Sequence, residues 1–410
     1  MASSLSFGQA NSTSFPTRGE HEHSAYSHRF GDWNSMRYLC KFGKDGISRA
    51  QTFYSGDSVS TRMDAVRKAI VHVREHWQQY PVLMEDLRSY IKELTDMSHE
   101  TLEELEHLRV VLSSKKVWKD GGGFSEDDDL SVIRLYTSKV GYDQIFRIIN
   151  QAFRTDDLAE QEKRLRCAVF LIELLNIDLF NYTLRDSNRS SNFQGTVYRG
   201  VSFSEDQLMD FVNLAARPVA ERYWAIPLAM MSASTDREVA LREFAGIDAL
   251  ERADGDGMST RYPFLWRIHV IGLHPKYLQI YRERFPSSVV STICAVPIRE
   301  LSDFGVEDEV LLRGPFFQLV CVREELLAGR EKPIHVMDLV MLNTNRDHPS
   351  TMQLGEARGE KARQLFACLV GMWRAEVCTN LARAYGLMHD AEEYERIHRS
   401  ERAKFESYVK

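Results

Sequence analysis

The hydrophobic period of this chain changes twice, and no all-helical or all-strand fold accommodates both changes. Before Thr196 the apolar residues recur at steps of three and four, as on the buried face of a helix. From Thr196 they fall into short runs bounded by turns: Thr196–Tyr198, Ala225–Met231, Phe264–Ile271, Leu278–Tyr281, Val289–Val296, Val310–Leu312, Phe316–Val322 and Val336–Leu342. Candidate strands at this spacing predict an antiparallel sheet or sandwich. Beyond Pro349 helical spacing returns, with Leu365, Leu369 and Trp373 on one face, then Leu381, Tyr385 and Leu387. Helices on both sides of a strand block predict an α+β chain.

The helical part is subdivided by punctuation. Met63, Val66, Ile70, Val73 and Trp77 describe one face of a helix between Thr61 and Tyr80, which Pro81 is expected to end. Leu87, Ile91, Leu94, Leu102, Leu105 and Leu108 predict a second helix from Met84 to Val111, packed on the first as a helical hairpin. Between Trp33 and Tyr54, Arg37 to Phe42 followed by Lys44-Asp45-Gly46 reads as a short strand hairpin. Lys119-Asp120-Gly121-Gly122-Gly123, running into Ser125-Glu126-Asp127-Asp128-Asp129, marks a domain boundary. No Lys-Ser/Thr pair or G-x-G-x-x-G spacing follows those glycines, which argues against a phosphate cradle.

Past that boundary the acid run precedes a helical region beginning near Ser131, where the helix dipole favours negative charge. Ile145, Ile148, Ile149, Ala152 and Phe153 predict one amphipathic helix, and Leu165, Val169, Ile172 and Leu175 another. The expected organisation is a disordered tail over residues 1–30, a mainly helical domain over 31–118, a strand-bearing domain over 125–348 and a helical extension over 350–410. In the last, Leu381 to Gly386 with Asp390 to Tyr394 faintly resembles a tetratricopeptide repeat, but one copy reads as a plain helical appendage.

Composition excludes several classes. With 43% hydrophobic and 27% charged residues, the chain of 410 residues reads as globular. No stretch approaches the roughly 18 to 20 apolar residues of a membrane span. The start, Met1-Ala2-Ser3-Ser4-Leu5, lacks the basic end and apolar stretch of a signal peptide, so a cytoplasmic location without membrane contact is expected. Six cysteines without a C-x-x-C pair argue against a disulfide framework or a cysteine zinc site. His21, His23 and His28 read as part of the solvated tail, so no metal is expected. The net charge of -7 argues against a nucleic-acid partner.

Three polar motifs stand within the strand block. In Val197-Tyr198-Arg199-Gly200, an arginine leaves a strand into a glycine; taken alone, it fits a surface edge or a buried anion partner equally. In Met230-Met231-Ser232-Ala233-Ser234, two serines share one strand face. Thr235 and Glu238 then have the spacing of a capping box, predicting a helix that buries Ala240, Leu241, Phe244 and Ala245. In Glu307-Asp308-Glu309, an extended backbone would put both glutamates on one face and turn Asp308 away. Glu-x-Glu also occurs at Glu104/Glu106 and Glu393/Glu395, but in helical segments, where positions i and i+2 diverge.

Arg, then Ser-x-Ser, then Glu-x-Glu, in this order on successive strands, resembles the R-S-E class of mono-ADP-ribosyltransferases, which includes clostridial binary toxins and vertebrate arginine-specific enzymes. Matches run from about Leu130 to Leu342, roughly half the chain, and include the helix Ile133-Arg134-Leu135-Tyr136-Thr137. Ala233 stands where the family has a central threonine. The resemblance implies a mixed or antiparallel two-sheet core, preceded by helices, that holds NAD as co-substrate and needs no metal.

The same resemblance assigns site residues. Tyr198, Arg199 and Gly200 would bind NAD, with Arg199 on its phosphates. Ser232 and Ser234 would line the cleft, Ser232 fixing the catalytic glutamate. Glu309 would be that glutamate, contacting the ribose 2′-hydroxyl as positive charge builds on the sugar. Phe244 fits either stacking on nicotinamide or plain core. Phe304 would occupy the substrate-recognition turn, and Glu307 would orient and help deprotonate an acceptor arginine. The implied partner is a protein presenting that arginine, with the helical flanks available for partner binding. An NAD glycohydrolase, in which water replaces the acceptor, and a non-catalytic helical adaptor are the alternatives.

Overall fold

In this computed structural model, residues 195–204 pair over their whole length, antiparallel, with residues 261–270. The structure describes residues 41–42, 68–69, 72–73, 76, 80–93, 103, 130–138, 158–184, 193–225, 230–247, 261–286, 293–303, 305, 308–313, 315–330, 333–344 and 356–409. The strands are β1 (Lys41–Phe42), β2 (Gly195–Ser204), β3 (Tyr223–Ala225), β4 (Met230–Ser234), β5 (Arg261–Ile271), β6 (Ala295–Pro297), β7 (Glu309–Arg313), β8 (Phe316–Glu325) and β9 (Ile334–Leu342). They form one ladder in the order β1-β3-β8-β9-β5-β2-β4-β7-β6. The β5–β9 pair is parallel and every other neighbour antiparallel, so the sheet is mixed.

Where two sheets were expected, the described strands form one mixed sheet. In the middle of the ladder, β2 and β4 share one residue pair, Tyr198 with Ser234. The strands on either side of that junction bury their apolar residues in a common core: Val197, Val201, Trp266 and Met337 from one side, Met231, Ala233, Val310 and Leu312 from the other. Asn343, just after β9, closes the arrangement. Its amide donates to the carbonyls of Ala295 (3.1 Å) and Phe193 (3.0 Å), and its Oδ1 accepts from the Ala295 N–H at 2.9 Å. These bonds bring β6, at one end of the ladder, beside the end of β9.

Helices cover the outer faces. The first three are α1 (Tyr80–Glu93), α2 (Ser131–Thr137) and α3 (Leu158–Leu184). They pack Leu87, Ile133 and Phe170 against Met230 of β4 and Leu311 of β7. Next, α4 (Glu205–Ala215) brings Phe211 into the core, stacked on Phe203. A short turn, α5 (Arg237–Val239), continues as a π-helix over Ala240–Phe244. After α6 (Pro275–Arg284), the C-terminal helices α7 (Glu356–Ala384) and α8 (Met388–Val409) pack Cys378, Ala382 and Tyr394 on Val320 of β8 and Val340 of β9. Arg222 ties α8 to the sheet through both oxygens of Asp390, at 2.6 and 3.1 Å.

Several expectations need correction. Leu278–Tyr281 is helical, within α6: His274 caps it by accepting from the Lys276 N–H, and Pro275 occupies the first turn. Proline is tolerated there because the first N–H groups have no intrahelical partner. Pro81 follows the same rule, opening α1 instead of ending a helix. Asp236, not Thr235, caps α5, accepting from the Glu238 and Val239 N–H groups. Lys41–Phe42 pairs with Trp224 and Ala225. The rest of that hairpin, Leu94, Leu102, Leu105, Leu108, the acid run and the Ile145–Phe153 helix lie outside the described residues. At the start of α2, negative charge comes from the buried Asp178 of α3, whose Oδ2 accepts from the N–H groups of Val132 (2.8 Å) and Ile133 (3.0 Å). Among the described residues the cysteines form no disulfide, and burial pushes the thiol of Cys378 up to about 12, which keeps it protonated.

On the outer face, register aligns Tyr198, Arg267, Asp338 and Cys321 in one row across β2, β5, β9 and β8. Asp338 is fully buried. Burial alone would raise its pKa, but hydrogen bonds from His269, Arg267 and Arg323, and the charge of Arg267, outweigh it and hold the carboxyl far below its usual range. Tyr385 of α7 joins the cluster, accepting from Arg267 Nη2 at 2.7 Å and donating to Asp338 Oδ1 at 3.1 Å. A depressed folded pKa gives stability that is complete above the ordinary aspartate value of about 3.9 and is lost as pH falls below it. Asp338→Asn, leaving two arginines without their carboxylate, is therefore expected to cost about 3 kcal/mol at pH 7 and to lose less further stability between pH 4 and pH 2 than wild type. Urea unfolding over that pH range measures both.

Candidate functional site

Three adjacent strands, β2, β4 and β7, carry the three polar motifs. Arg199 on β2 is only 2% exposed, an unusual state for a permanent cation. It shares its parity along the strand with the core residues Val197 and Val201. At this height β2 and β4 part company, and Arg199 Nη1 donates to the Ser232 carbonyl at 2.8 Å. A side chain thus supplies the donor that a paired strand would have given. This resolves the ambiguity of the sequence: Arg199 is buried at the junction, not set on a surface edge.

The row through the junction continues from Tyr198 to Ser234 and on to Glu309. Glu309 is fully buried at the first position of β7, and its carbonyl accepts from the Ile298 N–H at 2.9 Å. Its Oε2 accepts from the hydroxyl of Ser302 at 2.9 Å. Ser302 was not singled out from the sequence, because a serine in a turn seven residues ahead of a glutamate follows no spacing rule. Ser232 and Ser234 share one buried face of β4, as expected. The Ser234 hydroxyl accepts from the Asp236 N–H at 2.9 Å, which ties it to the turn into α5.

That turn explains Gly200. The helical segment after Asp236 crosses β2 so closely that a Cβ at Gly200 would lie 1.7 Å from the Ala240 carbonyl oxygen. Ala240, Leu241, Phe244 and Ala245 are buried, as the pattern predicted. Phe244 is 1% exposed and packs with Leu241, Leu265 and Val336, on the core side of its two readings.

The carboxylate motif departs from its expected geometry. The strand begins at Glu309, and Asp308 has φ 45°, a left-handed conformation that interrupts extended backbone. The extended backbone expected for the motif therefore does not run through Asp308. Glu307 and Phe304 lie outside the described residues. Asp308 itself pairs with Arg299 at 2.7 Å, and its carbonyl accepts from the Thr235 N–H at 3.2 Å.

The turn ahead of Glu309 is gripped by α2. Thr137 Oγ1 donates to the Leu301 carbonyl at 3.1 Å, and the Asp303 N–H donates to the Thr137 carbonyl at 3.4 Å. Among the described residues, no group of three His, Cys, Asp or Glu side chains is arranged to hold a metal ion.

No family model and no curated protein matches the sequence. Among solved structures, the chain is similar to the type III effector XopAI from Xanthomonas axonopodis pv. citri, at 14% identity and a TM-score of 0.31, over 68% of this chain and 92% of the effector. It is also similar to Plx2a, an ADP-ribosyltransferase toxin from Paenibacillus larvae, at 12% identity and a TM-score of 0.27, over 58% of this chain and 96% of the toxin.

The close crossing at Gly200 gives a direct test of how the site is built. Gly200→Ala forces the Ala240 backbone off β2, with an expected loss of about 3 kcal/mol in urea unfolding.

Proposed function

We propose that the chain is an NAD-dependent mono-ADP-ribosyltransferase that transfers ADP-ribose to an arginine side chain of a protein and releases nicotinamide. The observation that carries this reading is the convergence on β2, β4 and β7 of a buried guanidinium, two buried serines and a buried carboxylate. The donor set fits NAD chemically: a planar cation suits a pyrophosphate, and a carboxylate suits a ribose hydroxyl. NAD supplies a cationic nicotinamide on an N-glycosidic bond, already a good leaving group.

Within this reading, Arg199 holds the phosphates, its guanidinium anchored on one side by the Ser232 carbonyl. Tyr198, Gly200, Ser232 and Ser234 build the wall that fixes the cleft. Glu309 accepts a hydrogen bond from the ribose 2′-hydroxyl and opposes the positive charge that builds on the sugar as the glycosidic bond breaks and its electron pair leaves with nicotinamide. Glu307 takes the proton from the acceptor guanidinium, which is a poor nucleophile at its ordinary pKa of about 12.5 to 13.8. The freed guanidine nitrogen then forms the new bond to the ribose carbon. Phe304, in the turn ahead of the glutamates, contacts the target protein, and the helical flanks offer it further surface.

Incubation with labelled NAD and a small guanidine acceptor tests the division of labour. Glu309→Gln is expected to abolish NAD cleavage, whereas Glu307→Gln loses transfer and keeps hydrolysis. Full transfer by the Glu309 variant would sink the mechanism; wild type that hydrolyses NAD without transfer would be a glycohydrolase. Arg199→Lys keeps the charge but not the planar fork, and is expected to weaken NAD binding about tenfold or more in a fluorescence titration.

A further inference from the structure

We propose that Ser302 is a positioning residue for Glu309, and that α2 sets Ser302 through Thr137; the proposal rests on the ADP-ribosyl transfer reading. A glutamate carboxylate turns in a broad two-fold well, so burial alone does not fix the plane it presents. The Ser302 hydroxyl, donating to Oε2 at 2.9 Å, fixes it.

Ser302 lies in a turn, so something must in turn hold the serine. The N–H groups of Leu301 and Ser302 both donate to the Ile298 carbonyl, at 2.9 and 3.1 Å. The residues on either side, Leu301 and Asp303, are bonded to Thr137 at 3.1 and 3.4 Å. Thr137 is fully buried, and its single hydroxyl proton is shared between the Leu301 carbonyl and the Ile133 carbonyl, 2.9 Å away within α2. At its other end α2 is fixed by Asp178. Tyr136 adds a bond from its hydroxyl to the Met230 carbonyl, at the start of the serine strand, at 3.4 Å. A helix far from the strands in sequence thereby holds both the serine strand and the turn that orients the carboxylate.

A hydroxyl that merely stabilised the turn would change melting temperature when removed. One that orients Glu309 changes turnover. In Ser302→Ala, kcat for NAD cleavage is expected to fall about ten- to a hundredfold, with KM for NAD and the melting temperature nearly unchanged, and Ser302→Thr is expected to restore most of it. Thr137→Val keeps the shape but not the donor, and is expected to lower kcat in the same direction; added to Ser302→Ala, it lowers kcat little further, because both act through one carboxylate. Undiminished kcat in Ser302→Ala, no recovery in the threonine variant, or fully multiplicative losses in the double variant would each overturn the proposal. Wild type that neither binds nor cleaves NAD would overturn the transferase reading, and this proposal with it; normal wild-type turnover with an unaffected Ser302→Ala removes the positioning role alone.

Discussion

Arg199 takes the place of a strand partner where the ladder narrows to a single pair. The strands flanking Tyr198 and Ser234 turn their apolar sides into a common core, so β2 and β4 must separate soon after they meet. Separation exposes peptide groups that a flat sheet would have paired, and an unpaired buried carbonyl costs on the order of 1 to 3 kcal/mol. The guanidinium meets the Ser232 carbonyl in that gap. A cation is an expensive filler, since removing it from water costs several kcal/mol. An aliphatic side chain would fill the gap but give the carbonyl no donor. On the function proposed, the same cation binds phosphate, so the requirements of folding and of binding fall on one residue.

The rest of the site follows from register. Once Tyr198 is opposite Ser234, antiparallel pairing places Ser234 opposite Glu309, while on the other side Tyr198 stands opposite Arg267 and Arg267 beside Asp338. The buried carboxylate at one end of this row and the ion cluster at the other belong to the same line of side chains. Slipping any strand by one residue would turn its side chain to the wrong face. Gly200, under the close crossing of the helical segment that follows α5, and Asn343, bridging the end of β9 to β6, limit such slippage from the two sides of the core.

Much of this was legible in the chain. Alternation over the strand block marked most strands and put Ser232 and Ser234 on one face, and the apolar spacing after Asp236 named the residues that bury beneath the π-helix. What failed was local ambiguity: Leu278–Tyr281 is an apolar run too short to reveal its period, and Pro81, expected to end a helix, stands in the first turn of one. What could not be read was non-local. Asp178 caps a helix 46 residues away in sequence and Asn343 bonds a strand 48 away, and neither partner carries a sequence mark. Ser302 is only seven residues from Glu309, but the turn between them obeys no period.

The left-handed Asp308 has a consequence for how such a chain can diverge. Strand register stops at Glu309, so the alternation of β7 does not extend through Asp308. The carboxylate is held instead by the strand pairing of Glu309 itself and by the turn that carries Ser302. On the function proposed, Asp308 separates what must be inherited intact from what is open to variation: bond cleavage stays with the scaffold, while the choice of acceptor can drift with the residues just ahead of it.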